Sequence, residues 1–155
     1  MTEDTLFTIL GEQGFFRDLR PEQLVVLASV AEEVEYGGGE EIFEEGGHAD
    51  AAYLILEGAV ALELHVSHRA HHIVQTLHES EVLGWGWLFP PHRWSVSART
   101  LEPTRVVRFD GIQLRGAWES DCELGYEMMK RFAEVMTTRL AATRLQLVDF
   151  YGNTH

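Results

Sequence analysis

The chain is 155 residues long, 45% of them hydrophobic, and it carries a net charge of −13 at neutral pH. That length suits one domain with its own core, and the negative charge makes nucleic acid a poor direct partner because it repels phosphate backbones. The longest apolar runs are too short to cross a membrane, the N-terminus lacks the basic segment of a secretory signal, and a single cysteine excludes an internal disulfide. We therefore expect a cytoplasmic protein without a membrane segment.

The negative charge is concentrated in the first part of the chain. Residues 1–60 hold 14 acidic and two basic side chains, whereas residues 61–155 hold 11 acidic and 10 basic ones. We interpret the acidic half as a solvated face that keeps the protein soluble. An acidic docking face for a basic regulatory protein is the alternative.

Residues 4–33 show the pattern of helices. Pro21 follows Asp18-Leu19-Arg20, and proline is favoured in the first turn of a helix. After it, apolar residues recur at three- and four-residue spacing, at Leu24, Leu27, Ala28 and Ala31.

From Val34 to Asp110 the apolar pattern changes to a period of two, interrupted by glycines. Roughly eight short strands at this spacing favour an antiparallel β-roll or jelly roll, because an open sheet of that size leaves its edges unprotected. The fold class is therefore mainly β, with flanking helices. The clearest strand segments are Ala59–Val66, His71–Leu77, Trp94–Thr100 and Arg105–Asp110.

From about Asp121 to Phe150 the pattern predicts one long helix. Its apolar residues form a narrow seam of coiled-coil type, at Phe132, Met136, Leu140, Thr143, Leu147 and Phe150. About 30 helical residues extend about 45 Å, which is longer than a small barrel can cover. We predict that this seam joins two chains into a homodimer; the alternative is a helix that folds back on its own barrel. Residues 1–120 would then form the sensor part, and residues 121–155 the dimerisation helix and tail.

A loop rich in tryptophan lies between two of the predicted strands. The segment Gly84–Ser95 contains three of the four tryptophans of the chain. Tryptophan combines a large apolar face with one N–H donor, which suits pockets and interfaces. We expect this loop either to line a ligand cavity or to fill one.

Three segments resemble conserved features of a known family. Phe16–Leu24 resembles its opening helix, Gly39–Gly46 resembles its strand-turn signature, and Ala52–Val60 resembles its Tyr-Leu-Ile-Leu-x-Gly-x-Val strand pair. The family is the cyclic-nucleotide-binding domain, of the type found in catabolite-activator and Fnr-like sensors. The resemblance extends from about residue 12 to residue 150 and implies a β-roll followed by a long helix.

The ligand motif departs from the family pattern. Family members have Gly-Glu-Leu-Ala followed by Pro-Arg-Ala-Ala-Thr, which implies a glutamate for the ribose 2′-hydroxyl and an arginine for the cyclic phosphate. In this chain Gly84 matches the glycine, and Trp85 stands at the glutamate position. Without a gap, Trp94 stands at the arginine position; in a loop one residue shorter, Arg93 takes that place.

These replacements predict a degenerate phosphate-binding cassette. Trp85 cannot accept a hydrogen bond from a hydroxyl, and losing both family contacts weakens nucleotide binding roughly a thousandfold. We therefore expect no binding of cyclic AMP or cyclic GMP in the usual way, and no certain cofactor. A nucleotide-like or flat aromatic ligand is predicted to contact Gly84, Trp85, Gly86, Trp87, Arg93, Trp94 and Ser95.

The remaining polar residues do not predict catalysis or metal binding. His65, His68 and His71 recur every third residue in a predicted hairpin, and that spacing places successive side chains on opposite faces of a strand. No metal site is therefore predicted. Cys122 and the serines belong to no nucleophile–base motif, so we predict no catalytic residues and no enzyme.

The sequence favours a stand-alone sensor or regulatory domain. In transcription regulators of the family the long helix leads into a helix-turn-helix domain, and only five residues follow Phe150 here. We therefore expect no direct DNA binding. Two alternatives remain: a genuine cyclic-nucleotide signalling protein that uses Arg93 for the phosphate, and a ligand-free scaffold that binds a protein.

Overall fold

The computed structural model describes residues 3–67 and 70–152. His68 and the tail Asn153–His155 lie outside the described residues, as does the side chain of Phe150. The predicted contributions of His68 and Phe150 therefore have no structural description.

Two short helices and a 3-10 turn open the fold. They are α1 (Glu3–Gly11), the turn Gly14–Phe16 and α2 (Pro21–Ser29). Pro21 occupies the first turn of α2, as predicted, and the Gln23 side chain accepts a hydrogen bond from the backbone N–H of Arg20 at 2.9 Å. The prediction of helix up to residue 33 was wrong, because Ala31 already pairs with Phe109 in a strand ladder.

The described residues contain eight strands, and every pair of neighbouring strands is antiparallel. The predicted β-roll is therefore confirmed. The strands are β1 (Ala31–Tyr36), β2 (Glu41–Phe43), β3 (Ala51–Glu57), β4 (Val60–Ser67), β5 (Ala70–Leu77), β6 (Val82–Leu83), β7 (Ser97–Thr100) and β8 (Thr104–Asp110).

The strands form two four-stranded sheets that enclose the core between them. The strand order is β1-β8-β3-β6 in the first sheet and β2-β7-β4-β5 in the second. Alternate side chains of β3 face opposite sides of the first sheet. Tyr53 and Ile55 contribute to the apolar core between the sheets, whereas Ala52 and Leu54 pack in the core beneath the helices.

Two helices follow the last strand. The pattern gave no prediction for α3 (Gly111–Ser120), which begins where the Asp110 carboxylate accepts a hydrogen bond from the backbone N–H of Gln113. The long helix was predicted correctly and is α4 (Cys122–Gly152). No helix in the described residues is long and apolar enough to cross a membrane.

The long helix changes character along its length. Its first half packs on the barrel of its own chain, where Leu124, Met128 and Phe132 are buried in the core. From Leu140 onward its apolar side chains are largely exposed. These exposed residues are Leu140, Leu145, Leu147 and Val148, and we refer to them as the α4 stripe.

Part of the acidic half is paired across the first sheet. Glu33 on β1 lies 2.9 Å from Arg105 on β8, and Arg108 lies 3.7 Å from Glu32. These arginines come from the second half of the chain, so the fold brings the two unequally charged halves together. Each of these partly exposed ion pairs contributes little to the stability of the fold, because exposed ion pairs stabilise by less than about 1 kcal/mol.

The turn between β3 and β4 provides a test of how β3 is aligned with β8, the register in which Glu57 pairs with Arg105. Gly58 has a φ of +114°, and a Cβ there would lie 2.8 Å from the Cα of Thr104. Gly58→Ala should lower the free energy of unfolding by about 2–4 kcal/mol, from the left-handed backbone and the clash together. Gly116→Ala is the control, because a Cβ in that helix meets nothing within 4 Å and alanine should stabilise the helix by about 0.5–1 kcal/mol. Urea denaturation measures both changes; equal stability of the two variants would contradict the register.

Candidate ligand site

The loop between β6 and β7 is held against the turn that follows β2. The backbone N–H of Trp94 donates to Gly47 O at 3.0 Å, and Gly46 N–H donates to Trp94 O at 2.8 Å. The strand predicted from Trp94 therefore begins only at Ser97, because the Trp94 backbone pairs with this turn and residues 95–96 form a bend. The loop contains a short turn, closed by Leu88 N–H donating to Trp85 O at 3.0 Å.

Trp94 faces the interior and Arg93 faces outward. The indole of Trp94 is 6% exposed and stacks on Phe43, with 3.9 Å between ring centroids and 12° between ring planes. The Arg93 guanidinium instead donates to Gly46 O at 3.4 Å, on the exposed side. Of the two residues predicted for the family's arginine position, Trp94 is thus the one that points into the barrel, whereas Arg93 points away from it.

Gly84 allows the loop to lie close to Trp94. Its φ is +91°, and a Cβ at this position would lie 3.0 Å from two atoms of the Trp94 ring. A larger residue would force the indole away from the loop or strain the backbone. The glycine predicted to lie at the ligand site therefore has a packing role there.

Trp87, which was predicted to contact a ligand, is buried in the core beneath the helices. Its side chain is fully buried, and its Nε1 donates to Gly84 O at 2.9 Å. The ring packs edge-on against Trp118 and Phe132, with centroid distances of 5.2 and 5.9 Å. Trp87 thus attaches the loop to the helices. The other two tryptophans of the loop, Trp85 and Trp94, take no part in this contact.

A cavity of about 380 Å³ opens between the loop, the second sheet and α4. This volume lies within the range of small-molecule sites, about 300–1,000 Å³. Its walls are mostly apolar, and none of the described residues that line it is acidic. The lining residues are Phe43, Leu62, Val74, Gln75, Gly84, Trp85, Gly86, Trp94, Ser95, Val96, Met136, Arg139, Leu140 and Thr143.

Five of the seven predicted ligand residues line this cavity, and two do not. Gly84, Trp85, Gly86, Trp94 and Ser95 are in its wall, whereas Trp87 and Arg93 lie elsewhere. The two tryptophans in the wall leave the cavity open rather than filling it.

The residues of the predicted dimer seam divide into three groups. Phe132 is buried in the core of its own chain, which leaves it no surface to offer a partner. Met136, Leu140 and Thr143 line the cavity. Leu147 is 51% exposed beyond the barrel.

Arg139 is the residue of the site that the sequence pattern did not reveal. It lies on α4 with 8% of its surface exposed, and its guanidinium donates to the backbone carbonyl of Val82. The carbon Cζ lies 5.0 Å from the centroid of the Trp85 ring, in a cation–π contact. Its only signal in the sequence is a basic residue beside the apolar seam, next to Leu140.

Burial makes Arg139 an unusual cation. Removal from water disfavours its charged form and lowers the pKa of the guanidinium to about 10, while nearby Glu81 opposes the shift. The group remains positively charged at neutral pH. Within the described residues its Nη1 is buried without a hydrogen-bond partner.

Two histidines of the hairpin of β4 and β5 lie beside carboxylates. His65 lies 3.7 Å from Glu45, and His71 lies 3.3 Å from Glu63. Across residues 3–67 and 70–152, no cluster of histidine, cysteine or acidic side chains could hold a metal ion.

Several known proteins resemble this chain in sequence or in fold. Over 141 residues the chain is 26% identical to a CRP-like cAMP-activated global transcriptional regulator of Mycobacterium tuberculosis, covering 91% of this chain and 61% of that protein. The chain thus spans less than two thirds of the length of the curated relatives that it matches. The solved structure of Thermus thermophilus catabolite activator protein has a TM-score of 0.70 at 22% identity, covering 88% of this chain and 62% of that one.

A closer likeness covers almost the whole of both chains. A candidate cyclic nucleotide-binding protein from Geobacter metallireducens is 31% identical with a TM-score of 0.76, and the match covers 90% of this chain and 98% of that one. Residues 33–121, from within β1 to the end of α3, match the family model of the cyclic nucleotide-binding domain. The chain therefore belongs to the cyclic nucleotide-binding domain family.

Proposed function

We propose that this protein is a sensor domain that binds a small molecule, nucleotide-like or flat aromatic, in the cavity beside α4. The observation that carries the proposal is an open volume of about 380 Å³ bounded by Trp85, Trp94 and the long helix. Aromatic and aliphatic walls with few polar groups are typical of small-molecule sites. The role is regulatory rather than catalytic.

The walls of the cavity do not offer the contacts that a cyclic nucleotide uses in this family. In the ungapped register Trp85 stands at the glutamate position and Trp94 at the arginine position, and the Trp94 ring is stacked on Phe43. No described lining residue carries a carboxylate for ribose hydroxyls. We infer that cyclic AMP and cyclic GMP do not bind in the usual way.

Cyclic AMP binding is the second candidate function. It is favoured by the relative from Mycobacterium tuberculosis, which is named as cAMP-activated. The position of Arg93 argues against it, because the guanidinium would have to leave Gly46 O and turn into the cavity to meet the phosphate. A ligand-free scaffold is a weaker candidate, because the aromatic residues of the loop leave the cavity open.

The proposal includes a homodimer formed through the α4 stripe. Leu145 and Val148 are 67% and 66% exposed, and an apolar stripe of this kind loses contact with water when a second copy covers it. Leu140 belongs both to the stripe and to the cavity wall, so a bound ligand can influence the helix that joins the copies. We assign no DNA contact to this acidic domain itself, and we expect a cytoplasmic location and a downstream protein partner.

Ligand capture tests the proposed cavity directly. Native mass spectrometry of the protein mixed with a library of nucleotides and small aromatic compounds should detect a bound compound. Val74→Trp places an indole in the cavity wall and should abolish the complex, whereas Ile73→Trp should retain it, since Ile73 is 51% exposed and does not line the cavity. Absence of any complex, or equal capture by both variants, would contradict the proposal.

Thermal unfolding tests the usual ligand. A ligand present at 100 times its dissociation constant stabilises a fold by about 2.7 kcal/mol, which shifts the melting temperature measurably. Millimolar cyclic AMP or cyclic GMP should leave the melting temperature unchanged, because both family contacts are replaced. A shift of several degrees that Arg93→Ala abolishes would establish the second candidate instead.

The oligomeric state tests the role of the α4 stripe. Leu147→Glu combined with Val148→Glu should convert a homodimer into monomers, because it places like charges in the apolar interface. Ile112→Glu is the control, since Ile112 is 67% exposed on α3, away from the stripe. Light scattering measures the mass. A wild-type monomer at high micromolar concentration would show that the stripe does not join two copies.

A further inference from the structure

The cavity wall contains a buried cation, Arg139, that has no ion-pair partner among the described residues. Arg139 is more than nine-tenths buried, and within the described residues no carboxylate lies within ion-pair distance of it. Its guanidinium has one hydrogen bond, to Val82 O, and a buried Nη1 without a partner. A buried charge with unmet hydrogen bonds destabilises a fold, so this arrangement needs a compensating role.

Two other buried nitrogens without partners provide a comparison. They are Nε1 of Trp118 and Nε of Arg131, and neither residue lines the 380 Å³ cavity. Arg131 also uses its Nη1, which donates to Phe15 O at 2.8 Å, and it pairs with Glu127 at 3.7 Å. Of these three residues, only Arg139 both lines the cavity and carries a charge without an ion-pair partner.

We propose that the cavity binds a small organic anion with a flat apolar body, whose carboxylate or phosphate group is bound by Arg139. The inference rests on the proposed function of the cavity and specifies its ligand. A guanidinium presents a planar fork of donors that matches the oxygens of either anion. The absence of acidic groups among the described lining residues leaves nothing in the wall to repel an anion.

The rest of the wall defines the body of the ligand. Trp85 and Trp94 offer ring faces to a planar group, and Leu62, Val96 and Met136 add aliphatic surface. Trp85 also covers the guanidinium, with its ring centroid 5.0 Å from Cζ. Binding therefore exchanges this cation–π contact for an ion pair, and Trp85, which is only half-buried, moves aside for the anionic group.

A pair of fluorescent probes separates the charge from the body. 8-Anilinonaphthalene-1-sulfonate carries one sulfonate, and N-phenyl-1-naphthylamine has the same aromatic body without it. We expect Arg139→Met to weaken binding of the sulfonate probe about tenfold or more, and to change binding of the neutral probe less than threefold, about 0.7 kcal/mol. Arg144→Met is the matched control, an exposed arginine on the same helix that does not line the cavity, and it should change neither affinity.

The wild-type protein gives a second measurement that does not depend on a variant folding. Indole-3-acetate and indoxyl phosphate should displace the neutral probe at concentrations about tenfold lower than indole-3-acetamide. The stronger of the two anions assigns the group as carboxylate or phosphate.

The outcomes separate this inference from the proposed function. Equal losses of both probes in Arg139→Met, or equal displacement by the acetate and the acetamide, would overturn the role of Arg139 and leave the ligand cavity intact. Failure of the wild type to bind either probe would overturn both the anion site and the cavity as a ligand site.

Discussion

The face-to-face stack of Trp94 on Phe43, with 3.9 Å between ring centroids, fixes the loop between β6 and β7. Gly84 makes this contact possible, because a Cβ there would lie 3.0 Å from the Trp94 ring. The loop can therefore approach the second sheet closely while its other side faces α4. The remaining space is the cavity of about 380 Å³, and Trp85 and Trp94 form its aromatic wall. The chemistry of the site thus follows from the packing of one ring.

Arg139 connects that loop to the long helix. It lies on α4, donates to the carbonyl of Val82 on β6 and contacts the ring of Trp85. The next residue, Leu140, is the first of the α4 stripe and is 51% exposed. A ligand that alters the environment of Arg139 therefore acts one position from the surface that we propose joins two copies. Such a coupling requires two states of the helix with different affinity for the ligand, and the short path between site and stripe makes α4 the element to follow.

Local patterns predicted most of the fold and only part of the site. Alternation of apolar residues in segments such as Ala59–Val66 marked the sheets, and the seam marked α4, because periodicity depends on neighbours in sequence. The start of β1 at Ala31 was not predicted, because it depends on pairing with Phe109, far away in the chain. The same limit applies to the loop. Its richness in tryptophan could not show that Trp87 is buried in the core whereas Trp85 and Trp94 line the cavity. Arg139 was missed because only tertiary packing brings α4 to Trp85.

Fluorine NMR of protein labelled with 5-fluorotryptophan tests the central claim most directly, since the chain has four tryptophans. Titration with N-phenyl-1-naphthylamine should shift the resonances of Trp85 and Trp94, which line the cavity, and leave those of Trp87 and Trp118 in place. Substituting each tryptophan by phenylalanine assigns the four signals. Shifts confined to Trp87 and Trp118, or no shift of Trp85 and Trp94 at saturating probe, would contradict the account of this cavity as the ligand site.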